Sequence, residues 1–524
     1  MKRRDFIKAA GTTTLLPLAL NGFPIKVAAK NALLNLIQTS SQSNGRVMVL
    51  IQLNGGNDGL NTLIPLDQYA ALSSARSNVL IPENKVLSIT GTQKTGFHPS
   101  MNRMRELYDD GKISAVQDVG YPNPDFSHFR STDIWMAGSG SETFLKSGWA
   151  GRMLEHIYEG YPDGYPNAEM PDPPAIQIGF GMSLTLLGNH GVTGMALSNP
   201  DVVYEMLTEQ VDDTPNTPAG HELKYIRLVA QQTEAYSVAV KNAAEKAQNL
   251  SPHYDDNDSL AQQLKLVARL IAGGLKTPVY VVSIGGFDTH AKQVLETDTT
   301  KGVHANLLKS LSDSAFAFQD DCIKLGIADK VCAMTFSEFG RRIISNASYG
   351  TDHGTAAPMF VFGTKVNPGI IGENPNIPNN VLVNNNLPMQ YDYRQVYWTL
   401  MKDWFQIDDS AIKDEVLYDE YGTLPIFTQN LSVDKVDTQN LFALNQNFPN
   451  PFNDITVIDF VVQGGLCILN VYDSKGRLID TPLKEHKSQG KHSFTYQAGH
   501  LPKGMYYYQL ITPVGRTTKR MMKL

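Results

Sequence analysis

Four short stretches of this chain carry the residue types that ligate metals. They are Asn54-Gly-Gly-Asn-Asp-Gly-Leu-Asn61, Gly286-Phe-Asp-Thr-His290, Ser337-Glu-Phe-Gly-Arg341 and Thr351-Asp-His-Gly354. Each sets carboxylates, in two cases with a histidine, just after an apolar run or a glycine-marked turn. Oxygen and imidazole donors converging on one edge of a sheet are what a catalytic divalent ion such as Zn, Mn or Ca needs. Packing alone does not call for such a pattern.

Taken singly, each stretch has a chemical and a plainer reading. Asp58 lies in a Gly-rich turn that lets the backbone fold tightly and its carboxylate face a metal; Asn54 is an alternative donor at the strand end, and an Asn/Asp turn satisfying its own backbone is the plain reading. Asp288 and His290 stand at i and i+2, so in an extended segment both point to the same side and reach one ion; a helix N-cap with an incidental histidine is the alternative. Glu338 is either a ligand or a partner of Arg341 or Arg342. His353 enters a metal shell with Asp352 as second ligand or as the group that orients the imidazole, or the pair forms an Asx-turn. Ser127, after the prolines of Tyr121-Pro-Asn-Pro-Asp-Phe-Ser-His-Phe-Arg130, is placed to open a helix. A hydroxyl there meets the positive end of the dipole and free N–H groups, and can attack a phosphoryl or sulfuryl centre once a metal activates it. Arg130, about one helical turn on, can clamp an anionic oxygen. Against this, serine is simply a favoured N-cap.

The elements that must position these residues alternate between strand and helix. Val47-Met-Val-Leu-Ile-Gln-Leu53 is a nearly continuous apolar run, as expected of a strand buried on both faces, and 113–119, 279–284, 331–336 and 359–362 are similar. Between them, 101–109, 223–250, 260–275, 303–325 and 394–405 read as helices. The alternation predicts a three-layer α/β domain with a mainly parallel sheet, whose ligands bind beyond the carboxyl ends of the strands. Segments 158–174 and 199–217, rich in Pro, Gly, Asp and Asn, read as loops framing the cleft.

Both ends of the chain read as addresses. Lys2-Arg-Arg-Asp-Phe-Ile-Lys8 precedes a short apolar run, 9–20, too short to span a bilayer but suited to a signal sequence; the paired arginines resemble a twin-arginine export signal, with Val27-Ala-Ala29 as the cut and Lys30 as the mature start. At the other end, 429–440 is mostly polar, and short β-rich runs at 456–462, 466–472, 492–497 and 505–512 are separated by turn residues, as in a small all-β sandwich. The opening Asn447-Phe-Pro-Asn-Pro-Phe452, the turn Val471-Tyr-Asp-Ser-Lys-Gly-Arg477, the hairpin Leu501-Pro-Lys-Gly-Met-Tyr-Tyr507 and the basic last strand resemble a type IX (Por) secretion sorting domain. The expected organisation is a signal peptide at 1–29, the α/β domain at 45–428, a linker at 429–443 and the sorting sandwich at 444–524. Twin-arginine and type IX secretion machineries are then the partners, and the destination is the exterior or cell surface by way of the periplasm.

Composition narrows the function classes. A net charge of −7 argues against nucleic acid as the main partner. Three cysteines, none in a C-x-x-C pair, provide neither a disulfide framework nor a thiolate zinc site. No apolar stretch approaches membrane-spanning length, so no transmembrane span is expected in the mature protein.

Together, Leu53-Asn-Gly-Gly-Asn-Asp-Gly-Leu-Asn61, Phe126-Ser-His-Phe-Arg130, Gly148-Trp-Ala-Gly-Arg152, Gly286-Phe-Asp-Thr-His290, Phe336-Ser-Glu-Phe-Gly-Arg341 and Gly350-Thr-Asp-His-Gly354 resemble the exported family called domain of unknown function 1501, over roughly 45–407. That family is similar to the alkaline phosphatase/sulfatase superfamily. The resemblance implies an alkaline-phosphatase-like fold and a centre of one or two divalent ions. By position Asp58 matches the first ligand, Ser127 the nucleophile, Asp288 and His290 the next pair, Glu338 the strand-end acid and His353 the final histidine, while His128 or Arg130 would contact substrate oxygens. The superfamily's strand-end Asp-His is here Glu338-Phe339, and the Asp288/His290 spacing is tighter than in phosphatases. No Cys, nor Ser127, is followed by x-Pro-x-Arg, which disfavours a formylglycine sulfatase. The function expected is serine-type hydrolysis of a small-molecule or glycan phosphate or sulfate ester. The alternatives are a surface or secreted protein that binds anions or glycans without turnover, and a scaffold with a structural Ca²⁺.

Overall fold

A computed structural model describes residues 44–428, apart from 168–169, 180 and 198–235, and residues 442–524 apart from 445, 448, 463–464, 474–476, 489 and 513–514, together with 19–20 and 23–24. The expected signal segment otherwise lies outside the described residues, as do most of the expected linker, the loop at 199–217 and the first part of the helix expected at 223–250, which is helical where described, at 236–246. The chain divides into two compact units, 1–428 and 429–524.

The first unit is built on a nine-stranded sheet. In chain order its strands are β1 (Val47–Leu53), β2 (Ile113–Gly120), β3 (Ala175–Ile178), β4 (Met195–Leu197), β5 (Val279–Ile284), β6 (Val331–Phe336), β7 (Ala357–Gly363), β8 (Gly369–Ile371) and β9 (Tyr391–Asp392). They lie in the order β8-β2-β7-β6-β1-β5-β3-β4, with β9 pairing β2 as well. Only β7 runs antiparallel to its neighbours, β6 and β2; the other pairings are parallel.

The apolar runs are continuous because both faces of the sheet are covered. Val47, Val49 and Ile51 of β1 join one core with Tyr280, Val282 and Ala333, packed under the helices α1 (Asn102–Asp109), α4 (Ser259–Ala272) and α5 (Val303–Lys324). On the other face an aromatic layer assembles from α2 (His128–Ala137), α3 (Trp149–Ile157) and the helix after β9. Trp135 stacks on Tyr393 at 4.4 Å and Trp149 on Tyr397 at 4.2 Å, Trp135 lies over Phe336, and Trp404 donates its ring N–H to the Val47 carbonyl. The three-layer, mainly parallel α/β fold is therefore as expected. The two short strands β3 and β4, at one end of the sheet, carry too few residues for an apolar run to mark them.

Register places the motifs together. Leu53 pairs with Ile284, and Gln52 with Phe336, so β1, β5 and β6 end side by side and release Asn54, Gly285 and Ser337 on one edge. β2 is parallel to them through β7 and ends on the same edge at Gly120, ahead of Ser127 and His128. β7 starts there, so its antiparallel direction brings in the preceding hairpin of Arg341–Ser345 and Thr351–His353.

The second unit comprises a three-stranded antiparallel sheet (442–444, 455–462 and 490–497) and a four-stranded one (465–473, 478–487, 504–512 and 515–523). Ile458, Phe460, Leu469, Val471, Tyr508 and Leu510 share one core, so the sheets form the expected β-sandwich. The strand at 478–487, whose apolar content is low, escaped the sequence reading.

Candidate metal centre

Three imidazoles surround one carboxylate at the strand-end edge. His290 follows β5 two residues after Asp288, His353 ends the hairpin strand Thr351–His353, and His128 is the first residue of α2. The Nε2 atoms of His290 and His353 are 2.8 Å apart, and each is 3.2 Å from Asp288 Oδ1. His128 Nε2 lies 3.4 Å from Asp288 Oδ2. One donor atom from each of His128, Asp288 and His353 falls within 4.8 Å of the others.

The hydrogen bonds on the far side of each ring decide what these atoms present. Nδ1 of His353 faces the Phe126 carbonyl oxygen at 2.8 Å, an atom that only accepts, so this nitrogen carries the proton. Nδ1 of His290 faces Asp352 Oδ1 at 3.0 Å, and Nδ1 of His128 faces Glu338 Oε1 at 3.0 Å; an ionised carboxylate likewise only accepts. In the neutral imidazoles the protons thus sit on Nδ1, and three Nε2 lone pairs turn toward Asp288. Lone pairs 2.8 Å apart, beside an anionic oxygen, repel one another unless a proton or a cation lies among them. An imidazole held through its other N–H by a carboxylate or carbonyl is also the usual arrangement of a metal-bound histidine. The residues therefore fit a divalent ion.

Electrostatics favour an ionised Asp288 and a neutral His353. Burial pushes the Asp288 carboxyl up, but the hydrogen bond from Arg341 and the Arg341 charge more than offset it, leaving the pKa at about 2. Burial pushes His353 below its ordinary value, against the opposing pull of Phe126 and Asp288. Burial raises Asp352, and the hydrogen bonds from His290 and Asn346 outweigh it, so this acid too is lowered.

Two expected ligands stand elsewhere. Asp58 is fully buried, and its oxygens accept from Arg76 Nη1 at 3.0 Å, Arg76 Nη2 at 2.6 Å and Gln293 Nε2 at 2.5 Å. Burial alone would raise its pKa, but the Arg76 charge and these hydrogen bonds hold it low. Gln293 in turn accepts from the hydroxyls of Thr289 and Thr351, so Asp58 supports the segments that carry His290 and His353 without facing the centre. Glu338, also buried, accepts from the Gly55 N–H at 2.7 Å and orients His128; it pairs with neither Arg341 nor Arg342. Of the two roles open to Asp352, the structure shows the orienting one, with Asn346 Nδ2 at 3.2 Å as further support.

Ser127 is the N-cap of α2 as expected; its side chain makes no capping hydrogen bond, and its N–H donates to Asp125 Oδ1. Arg130 does not face the centre. Its Nη2 donates to the Ser141 and Thr143 carbonyls at 2.6 and 2.9 Å, and its guanidinium lies 3.7 Å over the Phe144 ring, so it organises the loop after α2.

Arg341, expected only as a possible partner of Glu338, has a different role. Arg341, fully buried, donates Nε to the Gly56 carbonyl at 2.8 Å, Nη1 to Thr351 at 2.8 Å, and Nη2 to Phe287 at 2.9 Å, to Asp288 Oδ1 at 2.8 Å and to the Gly55 carbonyl. One side chain thereby ties the ends of β1 and β5 to the hairpin. Its position in Ser-Glu-Phe-Gly-Arg, directly after a glycine at a strand end, was the available signal. Gly55 is required where it stands: its φ is +121°, and a Cβ there would lie 2.2 Å from the Asp288 nitrogen.

The family described as "Protein of unknown function (DUF1501)" matches residues 196–417, and that described as "Secretion system C-terminal sorting domain" matches 446–523. Both resemblances read from the motifs are borne out, the first over a shorter stretch than 45–407. The second marks the protein for type IX secretion, to the cell surface or exterior; no described helix is long and apolar enough to cross a membrane. No curated protein matches the chain. Among solved structures it is similar to one from the glycosaminoglycan-metabolism locus of Bacteroides thetaiotaomicron (8% identity, 87% of this chain and 90% of that one, TM-score 0.34). It is also similar to a protein in the alkaline phosphatase superfamily from Vibrio parahaemolyticus (9% identity, 84% and 83%, TM-score 0.33). PorZ of the Porphyromonas gingivalis type IX system matches 19% of this chain at 16% identity and TM-score 0.13, and this chain covers only 13% of its length. At such identities and scores the activities of these proteins remain their own.

Proposed function

We propose that this secreted protein is a metal-dependent, serine-type hydrolase of phosphate or sulfate esters. The observation that carries the reading is the donor set itself: three imidazoles with Nδ1–H held by oxygen acceptors and Nε2 turned toward Asp288. His128, His290, His353 and Asp288 would hold a divalent ion, which when bound supplies charge neutralisation for the ester oxygens and a lowered pKa for an attacking hydroxyl. The chain's own residues supply position. Ser127 stands in the chain between Phe126, whose carbonyl holds His353, and His128, and that neighbourhood supports its hydroxyl as the nucleophile in this reading. That residue is exposed and its hydroxyl is unused by the cap; in this reading the hydroxyl attacks the phosphorus or sulfur in line, the ester's alcohol leaves with the proton as the new Ser–O bond forms, and water then cleaves the seryl ester to restore Ser127. In this reading the N–H groups of the first turn of α2 would receive the ester's anionic oxygens.

One observation favours the second reading, anion or glycan binding without turnover. Arg130 is engaged with Ser141, Thr143 and Phe144, which removes the arginine expected to clamp the substrate. Steady-state hydrolysis of aryl phosphate and aryl sulfate esters by the purified protein separates the two. Saturable hydrolysis that vanishes in Ser127→Ala and Asp288→Ala, with circular dichroism unchanged, is expected. Hydrolysis that persists in Ser127→Ala or after complete chelation would overturn the mechanism, and ligand binding with no hydrolysis would establish the second reading.

A further inference from the structure

We infer that this centre takes a single ion, of the imidazole-seeking transition-metal class typified by Zn²⁺, and that His128 is one of its ligands. The inference rests on the metal part of the proposed function and not on turnover.

The donors select the class of ion. Ca²⁺ takes six to eight oxygens and Mg²⁺ an octahedron of oxygens and waters, whereas three nitrogens and one carboxylate suit Zn²⁺ and its late first-row relatives. Spacing agrees. Tetrahedral ligands about 2.1 Å from Zn²⁺ are about 3.4 Å from one another. The Nε2 atoms of His290 and His353 and Asp288 Oδ1 are separated by 2.8, 3.2 and 3.2 Å, and His128 Nε2 approaches Asp288 Oδ2 at 3.4 Å. One donor atom from each of His128, Asp288 and His353 lies within 4.8 Å of the others, and His290 joins them through its approach to His353 and Asp288.

The number of ions follows from what the other acids do. Asp58 is neutralised by a guanidinium on both oxygens and is closed to solvent. Glu338 is committed to the Gly55 N–H and to His128, and Asp352 to His290 and Asn346. Asp288 alone turns its carboxylate to the Nε2 atoms. Among the described residues the strand-end edge therefore has one convergent donor set, and the buried Arg76 charge fills the role beside Asp58 that a second cation would need. His128 belongs to the set because Glu338 fixes its tautomer as Asp352 and Phe126 fix those of the other two rings. A histidine that contacts substrate oxygens as a proton donor would not need its Nε2 lone pair turned on a carboxylate.

The test is Co²⁺ titration of the chelator-stripped, full-length protein, read by visible absorption and by elemental analysis of the dialysed product. One equivalent is expected, with d–d bands of a four- or five-coordinate ion that Zn²⁺ abolishes and a hundredfold excess of Ca²⁺ leaves intact. His128→Ala should weaken Co²⁺ binding and alter the band pattern, and Glu338→Gln should weaken it about 10–100-fold at unchanged stoichiometry. Circular dichroism checks that each variant is folded, and His128→Asn provides a second variant should His128→Ala misfold. Two equivalents, displacement by Ca²⁺, or wild-type spectrum and affinity in both His128 variants would overturn the inference. One equivalent without ester hydrolysis would uphold it while removing the proposed function; hydrolysis with two equivalents would do the reverse.

Discussion

Replacing Asp58 separates a supporting acid from a ligand. In Asp58→Ala the Arg76 guanidinium, whose side chain is wholly buried, loses both of its carboxylate contacts, and Gln293 loses its acceptor. Removing one partner of a buried ion pair costs about 3–5 kcal/mol, because the remaining charge stays in a low dielectric. For a unit the size of residues 44–428, with an unfolding entropy of roughly 0.8 kcal/mol/K, about 4 kcal/mol lowers Tm by about 5 °C. The assay is thermal melting in excess chelator, so that ion binding does not enter the comparison, with separate metal analysis of the folded variant at low temperature. Asp58→Ala should melt early and still bind its ion. Asp288→Ala, whose carboxylate is about half exposed, should lose the ion with a smaller effect on the metal-free melt. The double variant Asp58→Asn/Arg76→Met removes both charges and should recover much of the loss. An Asp58→Ala protein with wild-type melting and no bound ion would refute the assignment of Asp58 to the support.

Three further outcomes are expected. Burial holds His98 and His304 neutral, with pKa values pushed down to about 3 and about 4. The unfolded chain takes up these protons below about pH 6.5 and the folded one does not, so stability is full above that pH and falls as the pH drops toward 4, by up to about 1.4 kcal/mol per unit for each histidine; urea midpoints at pH 7 and pH 5 should show this, with a shallower slope in His304→Gln. Asp352→Asn removes the charged acceptor that orients His290 and should weaken ion binding about 10–100-fold in calorimetric titration, with little change in the metal-free melt. Arg130→Ala releases the Ser141 and Thr143 carbonyls and should speed proteolysis of the loop after α2, while metal content stays unchanged; equal cleavage rates would show that the arginine does not organise that loop.

The fold was legible where burial writes itself into composition. β1, β6 and β7 are covered on both faces and read as apolar runs, and alternation with helical patterns implied the parallel sheet and its functional edge. The candidate centre was legible as far as residue type goes: Asp288, His290 and His353 do come together. What the chain could not declare was the direction of each side chain. Glu338 reaches His128 from 210 positions away, and Arg76 meets Asp58 from the end of a helix whose local pattern is that of any amphipathic turn. Arg130 stands where a clamp would stand, yet the carbonyls of its own following loop are nearer partners than any substrate. Such pairings depend on tertiary distance, which leaves no periodicity behind.

Four acids lie in the strand-end motifs, and their exposure explains why their roles differ. The side chains of Asp58 and Glu338 are 0% and 4% exposed, those of Asp352 and Asp288 43% and 46%. A buried carboxylate is tolerated only when its lone pairs are filled by fixed donors, so full burial commits the first two to Arg76, Gln293, Gly55 and His128. A half-exposed carboxylate keeps water on its outer face, stays ionised with fewer protein donors, and retains a lone pair for an incoming ion. Between the two exposed acids, Arg341 decides: it draws Asp288 inward over the junction of β1 and β5, where the Nε2 atoms converge, and leaves Asp352 behind His290. Burial thus divides support from ligand among residues of identical chemistry, and a single buried guanidinium selects which acid the three imidazoles share.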